Sequence, residues 1–101
     1  MWWADFDPLV GSEIKKRRPA IIVSNDRANE ALARVQAVPT TTAGGKTYPG
    51  QAWVAVGERR SRALADQLST LDKSRLVSRI GRLPADDMER VEQAIRTHLD
   101  L

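Results

Sequence analysis

Cysteine is absent from the 101 residues, and histidine occurs once, at His98. Without cysteine the chain has no disulfide framework, no thiol nucleophile and no zinc–thiolate site. A single histidine excludes a His–His acid/base pair and a multi-histidine metal site within one chain. No apolar run approaches the roughly 20 residues of a membrane span, and no signal-peptide pattern opens the chain. The expectation is a cytoplasmic protein with no membrane association and a single domain over residues 1–101, long enough to hold an ordinary core.

Charge is nearly balanced, with 16 Lys+Arg against 13 Asp+Glu and a net of +3. That total permits a nucleic-acid partner without demanding one. It also averages two unlike parts. Residues 1–83 carry 14 basic and 8 acidic side chains, a net of +6, whereas residues 84–101 carry 2 and 5, a net of −3.

The same division appears in the hydropathy pattern. Up to Leu83 the apolar stretches are short and rich in β-branched or aromatic residues: Trp2–Phe6, Ala20–Val23, Val35–Val38 and Ala52–Val56. Turn formers such as Asp7-Pro8, Gly44-Gly45 and Pro49-Gly50 separate them. This spacing predicts an antiparallel sheet or small barrel, with Ala63–Leu71 and Val77–Ile80 as further strands. A helical turn over Asp26–Ala31 is expected behind a Ser24 or Asn25 cap. From Pro84 the period changes. Asp86, Asp87 and Glu89 crowd a helix start, and Met88, Val91, Ile95 and Leu99 fall on one helical face.

Three groups of polar residues have chemical potential. Lys15, Lys16, Arg17 and Arg18 run directly into Pro19. Such a run is most often a solvated loop. Pro19, however, forces Arg18 into an extended backbone, holding its guanidinium at the strand edge. A fixed guanidinium gives planar, two-pronged hydrogen bonds to phosphate. Next, Thr40, Thr41 and Thr42 follow Pro39 at a strand end. They are either residues of good β propensity or a hydroxyl cluster aimed at an anion. Gly44-Gly45-Lys46 lacks the spacing of a nucleotide phosphate loop, so triphosphate binding is rejected. Third, Asp66-Gln67 is either an exposed strand face or a base reader, since Gln67 offers donor and acceptor together. Glu58-Arg59-Arg60-Ser61-Arg62 reads as a solvated turn, with contacts to an RNA backbone as the minority reading. Trp2, Trp3 and Trp53 read as core or interface residues rather than stacking platforms, and one of the adjacent pair Trp2 and Trp3 must face outward. His98, at the border of the helix's apolar stripe, reads as structural.

Taken in order, these blocks resemble a known family. Trp3-Ala4-Asp5-Phe6-Asp7-Pro8, Gly11-Ser12-Glu13 and Arg18-Pro19-Ala20-Ile21-Ile22-Val23 are followed by Val38-Pro39-Thr40-Thr41, Asp66-Gln67-Leu68 and Ile80-Gly81-Arg82-Leu83. The set is similar to the MazF/PemK toxin endoribonucleases across essentially the whole chain. The resemblance implies a mainly β fold with helices: a compact antiparallel barrel plus the C-terminal amphipathic helix. It also implies a homodimer that cuts single-stranded RNA in a sequence-selective way without metal or cofactor. A cognate antitoxin would occupy the RNA groove, and the toxin–antitoxin complex would bind DNA. Position by position, the catalytic Arg and Thr fall on Arg18 and Thr41. The groove-lining block falls on Ser12 and Glu13, and the RNA-contacting pair on Asp66 and Gln67. Lys15, Lys16, Arg17 and Thr40 join them as RNA-binding candidates. Some PemK-type members use a His and an Arg where this chain has Ser12 and Leu64, so the Arg18/Thr41 arrangement has to suffice. Most members also carry several residues before the first strand, whereas here Met1 abuts Trp2, so fraying of that strand is expected.

The residue inventory and the resemblance agree on chemistry. RNA carries its own nucleophile, the 2′-OH, so the protein needs mainly to orient the nucleotide and stabilise charge at phosphorus. Glu13 is a candidate base; the resemblance also lets Arg18 act as general acid or base, a demanding role for a guanidinium that stays protonated. Two other readings compete: a gyrase poison on the same barrel class, as in CcdB-like toxins, and a non-catalytic nucleic-acid-binding module using the basic run as a phosphate clamp.

Overall fold

A ladder of antiparallel strands dominates the computed structural model, which describes residues 1–6 and 16–101. The elements are β1 (Trp2–Phe6), β2 (Lys16–Ile22), α1 (Asp26–Ala31), β3 (Arg34–Thr41), β4 (Gln51–Val56), β5 (Arg59–Leu64), β6 (Ser69–Asp72), β7 (Leu76–Arg79) and α2 (Ala85–Leu99). The sheet runs β4-β5-β3-β2-β1-β7, with β6 alongside the first half of β3. Ser12, Glu13 and Lys15 lie outside the described residues.

Strand alternation divides the apolar side chains between two cores. On one face Ile21 and Val38 meet Val54, Ala63 and the α2 residues Val91 and Ala94. On the other, Ala20 and Ala37 meet Ala4, Phe6, Val35 and Leu71. The small residues on β2 and β3 let both layers approach closely. Asn25, rather than Ser24, caps α1, its side chain accepting from the Ala28 N–H at 2.8 Å. Ser24 instead accepts from the Gln36 N–H and ties α1 to β3. No helix among the described residues is long and apolar enough to cross a membrane.

Several expectations need correction. Residues 63–71 do not form one strand. Strand β5 ends at Leu64, a 3₁₀ turn spans Ala65–Gln67, and β6 starts at Ser69. The turn is held by the Leu68 N–H on the Ala65 carbonyl and the Asp66 N–H on the Gly50 carbonyl. It lets the chain leave β5, which pairs with β4 and the end of β3, and rejoin β3 near its start. The basic run is not a loop, since residues 16–18 are the opening of β2, zipped to β1 through the pairs Phe6–Lys16, Asp5–Arg17 and Ala4–Arg18. Strand β1 pairs with β2 from Trp2 to Phe6 and with β7 at Trp2, Trp3 and Ala4, so its first residues have ladder partners on both sides.

The barrel is only loosely formed. Among the described residues, the outer strands β4 and β7 do not pair with each other. Side chains of α2 cover the β4 edge instead. Asp87 accepts from the Ala55 N–H at 2.7 Å and pairs with Arg90, whose Nε donates to the Trp53 carbonyl at 3.4 Å. This also rotates α2 from its expected facing. The buried line is Asp87, Val91 and Ala94, with Met88 and Ile95 flanking it, while Leu99 is half exposed.

Candidate active site

Strand β3 changes partners at Pro39. Up to that residue it pairs with β2, and from Thr40 it pairs with β5. Pro19 and Pro39 carry no N–H, so neither donates to the ladder at this point. Between the parting strands lies a cavity of about 400 Å³. Arg18 reaches into it from β2 and Thr41 from β3, and Trp3, Val56 and Arg59 complete its wall.

The central contact is Arg18 Nη1 donating to Thr41 Oγ1 at 3.3 Å. The Ala43 N–H donates to the same oxygen at 3.2 Å. A hydroxyl has two acceptor lone pairs and one proton. With both lone pairs engaged, the Thr41 proton is left for donation to something else. Arg17, Arg18 and Arg59 all line the cavity, and none of its described lining residues is a carboxylate. Arg17 is exposed and pairs with Asp5 at 2.9 Å, a hydrogen bond and charge that raise its guanidinium pKa further.

Thr40 has a different task. It is 1% exposed and its hydroxyl donates to the Pro19 carbonyl at 2.9 Å. This bond joins β3 to β2 where the backbone ladder gives out. Thr40 therefore positions Arg18 and Thr41 rather than presenting its hydroxyl outward. Thr40→Val keeps the shape and orphans that carbonyl, so it is expected to cost about 1–2 kcal/mol. A urea melt of the variant checks this.

The sequence candidates are thus only partly brought together. Arg17, Arg18, Thr40 and Thr41 share the cavity, whereas Lys16, Asp66 and Gln67 are not part of its lining. Lys16 sits exposed at the start of β2 with φ near +70°. Asp66 is exposed and Gln67 half-buried on the 3₁₀ turn, with Asp66 beside Gly50 and Gln51. Sequence reasoning missed Arg59, Val56 and Ser61, which reach the cavity through the β4–β5 hairpin. The only signal for them was the basic run at 58–62, for which RNA contact was the minority reading; residues 59–62 are strand β5 rather than a solvated turn. Trp3 is the outward member of its pair, 40% exposed.

These features define a class: a small antiparallel β protein that presents a guanidinium–hydroxyl pair in a cationic cavity suited to a phosphate. The comparisons with known proteins narrow it. The family model for the PemK-like, MazF-like toxin of type II toxin–antitoxin systems matches residues 1–99. The chain is 36% identical over 110 residues to endoribonuclease MazF9 of Mycobacterium tuberculosis, covering all of this chain and 93% of that protein. The crystal structure of MazF from Deinococcus radiodurans superposes with a TM-score of 0.86 at 30% identity, over 99% of this chain and 92% of that one. A mycobacterial endoribonuclease in complex with its cognate antitoxin superposes with a TM-score of 0.79 at 29% identity, over 99% and 90%. The chain belongs to the PemK-like, MazF-like toxin family.

Proposed function

We propose that this chain is the toxin of a type II toxin–antitoxin pair, a cytoplasmic, single-domain endoribonuclease that cuts single-stranded RNA as a homodimer and is restrained by a cognate antitoxin. The observation that carries the reading is the Arg18–Thr41 contact in a cavity walled by three arginines and no described carboxylate. In this reading the RNA strand lies over the cavity with the scissile phosphate at Arg18. The 2′-OH gives up its proton as it attacks the adjacent phosphorus, the P–O5′ bond breaks and the leaving 5′ oxygen takes up a proton, so the products are a 2′,3′-cyclic phosphate and a 5′-hydroxyl. Arg18 holds the non-bridging oxygens as their charge grows, and Thr41 donates its remaining proton to one of them. Arg17 adds backbone affinity. Asp66 and Gln67, outside the cavity, read neighbouring nucleotides, and Lys16 and the candidates Ser12, Glu13 and Lys15 contact the same RNA.

The experiment is incubation of purified protein with single-stranded RNA in EDTA, followed by sequencing of the 5′ ends. Cutting at a recurrent sequence with 5′-hydroxyl termini is expected. Loss of cutting with chelator contradicts the mechanism. RNA left intact while gyrase is inhibited establishes the gyrase-poison reading instead.

A further inference from the structure

The β4–β5 hairpin turns a second basic face away from the cavity. Trp53 lies opposite Arg62, and Ala55 lies opposite Arg60. Across the diagonal, the Arg60 guanidinium carbon stands 4.4 Å from the centre of the Trp53 ring. Arg60 is exposed and makes no ion pair among the described residues. Arg62 donates to the Lys46 carbonyl at 2.6 Å, while its buried Nε has no hydrogen-bond partner among the described residues. The small Ala55 leaves a hollow of about 480 Å³ beside the indole, bordered by Glu58, Arg59, Arg60 and Arg90. A hollow of that size fits a small-molecule-sized group such as a nucleotide.

We propose that this face, Trp53 with Arg60 stacked on it, is an accessory subsite for a nucleotide of the same single-stranded RNA, beyond the one being cut. The inference rests on the RNA reading above and extends it to new residues. Three observations favour RNA. Arg59 lines both the cleavage cavity and this hollow, so the two adjoin across the hairpin tip. A planar guanidinium backed by an indole ring gives a base a surface to stack on and its phosphate a charge to pair with, a pairing common in single-strand recognition. The acidic groups do not cancel the cations, because Asp87 is engaged by Arg90 and the Ala55 N–H, leaving Glu58 against Arg59 and Arg60. A peptide strand is disfavoured, since Asp87 and Arg90 already occupy backbone groups that β4 would offer it.

The test is anisotropy binding of labelled oligouridine of about six and about twenty nucleotides, lengths that bracket a short single-strand site. The proteins are wild type, Arg60→Glu, Trp53→Ala and Trp53→Phe. Wild type is expected to bind the longer strand more tightly. Arg60→Glu and Trp53→Ala are each expected to weaken the longer strand about ten-fold or more, as loss of one base stack does. Trp53→Phe is expected to recover most of that, and the short strand to be affected far less. A companion Arg60→Ala variant is expected to lower the salt slope by about 0.7 for one lost phosphate contact. Equal binding of the long strand by wild type and Arg60→Glu overturns the proposal, as does equal weakening of both lengths. An Arg60→Glu defect confined to an acidic peptide also overturns it. Binding is read without turnover, so a protein that binds at this face yet never cuts refutes the nuclease reading alone.

Discussion

Arg18→Ala is expected to lower kcat on single-stranded RNA by roughly 100- to 1,000-fold, the loss of about 2.7–4 kcal/mol that follows removal of one transition-state donor. The fold should survive. Arg18 contributes its backbone to the pairing with Ala4, and alanine makes the same ladder. Thr41 would keep the Ala43 N–H as one donor to its hydroxyl. Arg18→Lys separates charge from shape. It retains a cation but not the planar fork, so it should recover only part of the loss. Thr41→Val removes the donated proton while keeping the β-branched shape, and is expected to lower kcat in the same direction. Single-turnover cleavage with each variant, alongside circular dichroism, measures both quantities. Near-wild-type cleavage by Arg18→Ala would move the chemistry elsewhere on the chain.

Asp87→Ala is expected to destabilise the fold markedly for a change at a polar residue. Asp87 is buried, and its carboxylate serves two partners, the Ala55 N–H and Arg90. Alanine leaves a strand-edge N–H uncapped and frees a guanidinium from its only charged partner among the described residues. The Arg90 side chain is itself half exposed, which limits the loss from the charge pair. The sum is about 2–3 kcal/mol, a fall of roughly 10–20 °C in Tm for a chain of this length. Asp87→Asn keeps an acceptor for Ala55 and should lose less. The comparison belongs at one protein concentration, since association shifts Tm by mass action. The result bears on function too: β4 carries Val56 into the cavity and Trp53 to the outer face.

Asp87 also shows where sequence reasoning reaches and where it stops. Its place in the first turn of a helix was legible, and the ordinary role of an acid there is to complement the helix dipole. Its actual role needs β4 in position beside α2, which no local pattern records. The stripe Met88, Val91, Ile95 and Leu99 obeyed helical periodicity, yet the buried line includes Asp87 and Ala94 because the facing sheet presents Ala52 and Val54 and an open edge. Strands with alternating or continuous apolar runs are legible: β1 and β4 fall where expected, as does the helix α1, and β2 and β3 extend further at their polar ends. Those polar ends hold the site. Residues Lys16–Arg18 are strand because β1 pairs with them, a long-range cause invisible in a run of cations. The Arg18–Thr41 pairing was reachable only through family resemblance, because 23 residues separate the partners. Arg59 was missed for the same reason: its hairpin folds back over β3 through pairs Thr40–Ala63 and Thr41–Arg62.

The central claim is that the substrate supplies the nucleophile while Arg18 and Thr41 stabilise the charge that develops. The most direct measurement uses two otherwise identical RNAs containing the mapped cut site, one with a 2′-deoxyribose at the nucleotide whose 2′-OH attacks. The expected result is binding of both strands and cutting of the all-ribose strand alone, with a 2′,3′-cyclic phosphate at its new 3′ end. Cutting of the deoxy strand at the same bond would contradict the account, because the nucleophile would then have to come from water or from the protein.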